Sequence, residues 1–229
     1  RLWEPFHPAP DLLEGIDVLI HLAGEPIFGR FSESHKQAIR DSRITPTSRL
    51  AHLVADSPTV HTMISASAVG YYGADRGDEV LTETSERGEG FLADVVSDWE
   101  AATVVAAEAG KRVLNVRFGS IMSGISGMLP VLKALFSTGL GGSFGDGQIW
   151  FPWISIDDAT DILTRGVLDP AWSGPVNAVS PTETLNRDLT AALSTELRRP
   201  AFIPIPSIGP AIILGRQGAQ ELALANQRV

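Results

Sequence analysis

The sequence predicts a doubly wound α/β fold built on a parallel sheet, and three observations carry that prediction. Three apolar, β-branched runs, IDVLIHLAG (16–24), VHTMISAS (60–67) and RVLNVRFG (112–119), each end in glycine or serine. Stretches of helical periodicity separate them, so strand and helix alternate along the chain. The runs are predominantly apolar, which suits parallel strands buried on both faces. With 229 residues, 44% apolar and 20% charged, the chain can bury one sizeable core, or one core with a small added lobe.

The elements follow in order. The run 16–24 is closed by Gly24 and reads as a strand ending in a site-facing loop. From Ser32 the pattern turns helical, with Ser34 as N-cap, and Pro46 is expected to break or kink the helix before RLAHLVA (49–55) continues as an amphipathic stretch. After the strand 60–67, residues 74–90 (ADRGDEVLTETSERGEG) are Gly-rich and acidic, the composition of a surface loop over the strand ends. Phe91, Val95, Trp99, Ala102 and Ala106 then recur at helical spacing, and Gly110 closes that helix before the strand 112–119. MLPVLKALFSTG (128–139) reads as a further helix, PVNAVSP after Gly174 as a short strand, and Asn186 to about Arg198 as a helix. The tail, RPAFIPIPSIGP and then IILGRQGAQELALANQRV, reads as an extended segment and two short helices capping the substrate side. Residues 1–182 are thus expected to form the sheet domain and 183–229 a small C-terminal extension. Ligands of such sheets bind beyond the carboxyl ends of the strands, which puts Gly24, Ser67 and Gly119 on one rim.

Composition narrows the partners. A net charge of −9 disfavours nucleic acid, whose binding rests on clustered Lys and Arg. Without cysteine there is no disulfide framework, thiolate metal site or cysteine nucleophile, and the cytoplasm is the expected compartment. The five histidines, His7, His21, His35, His52 and His61, lack ligand spacing, so no zinc site is expected. No apolar run approaches a membrane span. A small-molecule substrate remains as partner, with a homodimer among the open assemblies. The start at Arg1 suggests that something precedes this piece.

Eight segments carry a resemblance in register: HLAGEPI (21–27), HKQAIRDSRITPT (35–47), ISASAVGYYG (64–73), DWEAA (98–102), RFG (117–119), the GLGG through WFPWISIDD region (139–158), SGPVNAVSP (173–181) and ELALANQRV (221–229). Together they resemble the extended and atypical short-chain dehydrogenase/reductases, specifically the epimerase-like atypical family with a small C-terminal extension. The resemblance implies a Rossmann-like sheet and a nicotinamide cofactor, NADP(H), gripped by a GxxGxxG phosphate loop on the first strand and helix. No such motif precedes Ile16, so that unit is expected to lie outside this chain, and the piece by itself would hold a dinucleotide poorly. For the cofactor the resemblance implies Leu22, Ala23, Gly24, Ser65, Ala66, Arg117 and Gly119.

The family's usual acid/base pair is missing. Only Tyr71 and Tyr72 are tyrosines, which rules out a Tyr-x-x-x-Lys further along. Placing Glu100 on the glutamate that follows the lysine puts Leu92 at the tyrosine position and Val96 at the lysine position, and neither moves a proton. Ser67 matches the catalytic serine, or is a strand-end serine satisfied by backbone. Arg43 stands where an asparagine is usual, or lies on a solvated helix face. Glu25 contacts ligand or is a loop carboxylate. Tyr71 and Tyr72 are proton donors or pack under the loop. Arg117 contacts ligand or is a buried strand-end arginine in an ion pair. Asp157 and Asp158 read as caps of the next helix. Phe151 replaces the arginine that pairs with a nucleotide diphosphate in sugar-nucleotide epimerases, while Trp150, Phe151 and Trp153 suggest an apolar or aromatic ligand.

The resemblance implies an NADP(H)-dependent oxidoreductase or epimerase-like enzyme acting on a carbonyl or hydroxyl substrate, with Ser67, Arg43, Glu25 and Tyr71 as catalytic candidates. The competing reading is a nucleotide-binding regulator or scaffold that has lost catalysis. A serine hydrolase is disfavoured because no nucleophile elbow surrounds Ser67.

Overall fold

The computed structural model describes residues 3–139, 141–201, 204–206 and 208–229, the Ile208 side chain excepted. Leu140, Phe202, Ile203 and Ser207, within the expected GLGG and proline-punctuated segments, lie outside the described residues. In chain order the elements are β1 (Val18–His21), α1 (Glu33–Asp56), β2 (Thr62–Ala68), a 3₁₀ turn (Val69–Tyr72), β3 (Asp75–Val80), α2 (Phe91–Ala101), α3 (Val104–Glu108), β4 (Arg112–Phe118), β5 (Ser120–Met122) and α4 (Met128–Ser137). There follow β6 (Trp153–Ser155), α5 (Ile156–Leu168), β7 (Gly174–Ala178), α6 (Asn186–Leu197), α7 (Ile208–Gly218), a π-helical turn (Ala219–Ala223) and β8 (Asn226–Arg228).

β1, β2, β4 and β7 form a parallel sheet in that order. Alternate residues of each strand feed two cores, as the two-residue period of a strand requires. Met63 and Val113 face α1 and α3, packing with Leu50, Val54 and Ala106. Ile64, Leu114 and Val116 face α5, packing with Ala159, Ile162 and Leu163. This is the doubly wound layering expected from the sequence.

Five local expectations are corrected. Pro46 does not break α1, which runs unbroken over 24 residues with Pro46 inside and buried. Ile39, Leu50 and Val54 on either side of it are all buried in the helix, and that shared burial outweighs one lost N–H. The cap of α1 is Ser32, whose hydroxyl accepts from the His35 N–H at 3.2 Å, rather than Ser34. The periodic stretch from Phe91 divides into α2 and α3. The acidic 74–90 segment is only partly loop, because Asp75–Val80 pairs in parallel with β8, a strand that the tail was not expected to contain. Side chains gave no hint of that pairing, which rests on backbone bonds such as Leu81 N–H to the Arg228 carbonyl at 2.7 Å. At α5 the cap is Ser155, whose hydroxyl accepts from the Asp158 N–H at 3.0 Å, rather than Asp157 or Asp158, which lie in the first turn.

Candidate functional site

The strand register builds the site. Ser67 is paired with Arg117, and Arg117 with Asn177, so the three stand in one row across β2, β4 and β7. Their parity is that of Met63 and Val113, which puts the row on the face covered by α2. There Glu100 closes over it. Both nitrogens of the Arg117 fork grip the carboxylate, Nε to Oε1 at 2.8 Å and Nη2 to Oε2 at 2.8 Å, and the Ser67 hydroxyl donates to Oε1 at 2.6 Å. Arg117 Nη1 donates to the Tyr72 hydroxyl at 3.0 Å, and that hydroxyl donates to Asn177 Oδ1 at 2.7 Å. The Tyr71 ring lies flat against the guanidinium, 3.6 Å from its centroid to the guanidinium carbon. Glu83 Oε1 accepts from the Asn177 N–H at 2.8 Å.

Only 3% of the Arg117 side chain is exposed. Desolvation lowers its pKa, but the hydrogen bonds and charge of Glu100 and Tyr72 outweigh it and the net shift is upward. Burial also pushes the Tyr72 phenol above its ordinary value, against the opposing pull of Arg117 and Asn177. Its neutral form is therefore favoured by folding, and the unfolded chain ionises first. In a Tyr71→Phe variant we expect the remaining tyrosinate absorbance to appear above the ordinary phenol value of about 10. Stability is full below that pH and falls as the pH rises through it, and Tyr72→Phe removes this tyrosine-linked decline in denaturation curves.

A second group stands at the end of β1. Leu22, Ala23 and Gly24 are exposed there, and a Cβ added to Gly24 would lie 3.3 Å from the Arg43 guanidinium carbon. Arg43, projecting from α1, stacks over Trp99 at 5.3 Å. Among the described residues its hydrogen bonds use Nη1 alone, to the Ile39 carbonyl at 3.1 Å and to Ser42 Oγ at 3.5 Å, which leaves Nε and Nη2 without a partner there. Burial lowers its pKa, and the nearby Glu25 carboxylate opposes the shift. Glu25 is exposed, and its N–H donates to Ser42 Oγ at 2.9 Å.

The sequence candidates therefore fall into two clusters. Arg43, Glu25 and Gly24 meet at the mouth of β1, while Ser67, Tyr71 and Arg117 meet in the buried row. Ser65 is fully buried and donates to the Ala66 carbonyl at 3.1 Å. Gly119 is required by packing, since an added Cβ would lie 2.8 Å from the Pro152 carbonyl oxygen. Leu92 and Val96 are buried and close against Gly70 of the 3₁₀ turn, so apolar contact occupies the positions at which the resemblance puts tyrosine and lysine. Trp150, Phe151 and Trp153 line, together with Gln227 and Arg228 of β8, a cavity of about 10 Å³. The Trp150 indole donates to Asp78 at 2.9 Å and the Trp153 indole to Thr184 at 2.9 Å, so both are held within the fold. Among the described residues no cluster of His, Asp and Glu is arranged to hold a metal, and no helix is long and apolar enough to cross a membrane. Sequence reasoning missed Asn177, Glu83 and Glu221. Asn177 lies in the quoted SGPVNAVSP segment and Glu221 opens ELALANQRV, so the resemblance touched both without assigning either a role, while no local pattern marks Glu83.

Comparison with known proteins aligns the chain along nearly its whole length. An epimerase family protein of Mycobacterium bovis is 40% identical over 220 residues, covering 96% of this chain and 72% of that protein. The crystal structure of a Corynebacterium glutamicum nucleoside-diphosphate sugar epimerase is 54% identical with a TM-score of 0.82, and the chain spans all of its own length but 44% of that longer one. Human epimerase family protein SDR39U1, solved with NADPH, is 31% identical with a TM-score of 0.88, covering 95% of this chain and 74% of that one. No family model matches the chain.

Proposed function

The chain belongs to the epimerase family of these relatives, and on that premise we propose that it binds NADP(H) on the β1 rim and acts on a carbonyl or hydroxyl substrate there. The observation that carries this reading is Arg43, a guanidinium stacked on Trp99 beside the exposed Leu22–Gly24 backbone with two nitrogens uncommitted. The residues present fit one end of the cofactor. Ile20 and Leu22 leave apolar surface open beside the mouth of β1, suited to an apolar ring face. The pyrophosphate end needs backbone N–H groups of a glycine-rich loop between the first strand and helix, and no GxxGxxG motif precedes Ile16.

NADPH, when bound, supplies a hydride. The chain's own part is electrostatic: Arg43 polarises the substrate oxygen, in place of the missing tyrosine. Ser67 has its one proton committed to Glu100, so it positions α2 rather than donating to substrate. Glu25, exposed and beside Arg43, is the group assigned to exchange a proton with a ligand on this rim. Residues 183–229 act as a C-terminal extension that braces the site. Titration of the full-length protein with NADPH and NADH tests the cofactor half. Tighter binding of NADPH is the expected result, and failure to bind either nucleotide overturns the reading.

The burial of Leu92 and Val96 where a tyrosine and a lysine would stand favours a second reading, a nucleotide-binding regulator without turnover. Oxidation of bound NADPH by a panel of carbonyl compounds separates the two.

A further inference from the structure

α2 begins at Gly90, which has φ of 114° and no side chain to cap the helix, so the first N–H groups of α2 need an acceptor from elsewhere. Glu221 supplies it from 130 positions along the chain. Its Oε1 accepts from the Phe91 N–H at 3.2 Å and its Oε2 from the Leu92 N–H at 2.6 Å. A carboxylate there also complements the helix dipole. The cap is itself held: Gln217 Nε2 donates to Glu221 Oε1 at 2.9 Å, and Lys36 Nζ of α1 donates to Gln217 Oε1 at 3.4 Å. A Cβ on Gly90 would stand 3.3 Å from the carboxylate, so the glycine makes room for it.

α2 transmits this hold. Near its start Leu92 closes on the 3₁₀ turn that follows Ser67, and near its end Glu100 grips Ser67 and Arg117. Gln227, a few residues beyond Glu221, donates to the carbonyls of both Val69 and Gly73, the two ends of the same turn.

We infer that Glu221 is a positioning residue for the Ser67–Arg117 row, capping α2 from the C-terminal segment and so fixing the rim without touching a ligand. Its bearing on nucleotide binding rests on the function proposed above, whereas its bearing on the row does not.

The test compares Glu221→Ala and Glu221→Gln in the full-length protein with Leu193→Ala in α6 as a control of general destabilisation. Backbone hydrogen exchange over residues 69–73 and 91–96 is read alongside NADPH affinity. Loss of a cap speaks for roughly a fivefold rise in exchange at both segments in Glu221→Ala. Glu221→Gln, which keeps one acceptor oxygen but sets an NH2 group where the second oxygen accepted, is expected to restore only part of that protection. NADPH affinity should weaken in Glu221→Ala and hold in Leu193→Ala. The inference is overturned if exchange at the two segments in Glu221→Ala rises no more than in the control. Should the unmodified protein bind no NADPH, the proposed function fails while the exchange comparison still decides the role of Glu221.

Discussion

Replacing Arg117 with methionine is expected to cost about 3–5 kcal/mol of unfolding free energy, because it leaves the Glu100 carboxylate facing a row that was built around a cation. Glu100, the Tyr72 hydroxyl, the Tyr71 ring and the Glu83 carbonyl lose their arginine at once. Folded domains are stable by only about 5–15 kcal/mol, so the variant should approach the limit of folding at ordinary temperature. The cost comes mainly from the unpaired charge rather than from the worth of the pair. The double variant Arg117→Met with Glu100→Gln should therefore recover a substantial share, which urea denaturation of the four proteins in the cycle measures directly. A double variant no more stable than Arg117→Met would place the loss in packing instead. Because folding raises the Arg117 pKa, its contribution is present below the arginine's ordinary pKa and is lost only above it. This term should not bend the stability curve between acid and mildly alkaline pH.

Arg43→Ala is the second large effect. If Arg43 polarises the substrate oxygen, its loss should lower NADPH-dependent turnover by about 10²–10³-fold, the scale set by removing one preorganised donor. Stability should change far less, since the side chain's hydrogen bonds reach only a helix carbonyl and a neighbouring hydroxyl. Arg43→Lys keeps the charge but loses the planar fork and its stacking on Trp99, so partial recovery is expected. Steady-state rates with a responsive carbonyl compound decide this. Unchanged turnover in Arg43→Ala would remove Arg43 from the chemistry and leave Glu25 and the backbone rim to account for it.

Much of the candidate site could be read before folding, and the part that could not has a common cause. Ser67, Arg117 and Arg43 were recognisable by type and position in strand-end or helix motifs. Whether Ser67 faced a ligand or a carboxylate was open, because a strand residue's partner across the layer is set by the helix that lands there. Glu100 lands on it, and the hydroxyl's proton is spent. Arg117 resolves in the same way into an ion pair. The aromatic residues Trp150 and Trp153 suggested a ligand, but their indole N–H groups are taken by Asp78 and Thr184, with β8 packed alongside.

The sequence by itself determined the layered α/β architecture, since β-branched runs separated by helical periodicity are local patterns with one economical way to bury both faces. It also determined that no Tyr-x-x-x-Lys pair exists, a fact of composition that no folding can alter. Tertiary structure alone decided that Pro46 would sit inside an unbroken helix, that Asp75–Val80 would pair with Asn226–Arg228, and that Glu221 would cap α2. In each case the deciding partner lies far along the chain or across a packing layer, and which residues will meet at that distance is written in no local period.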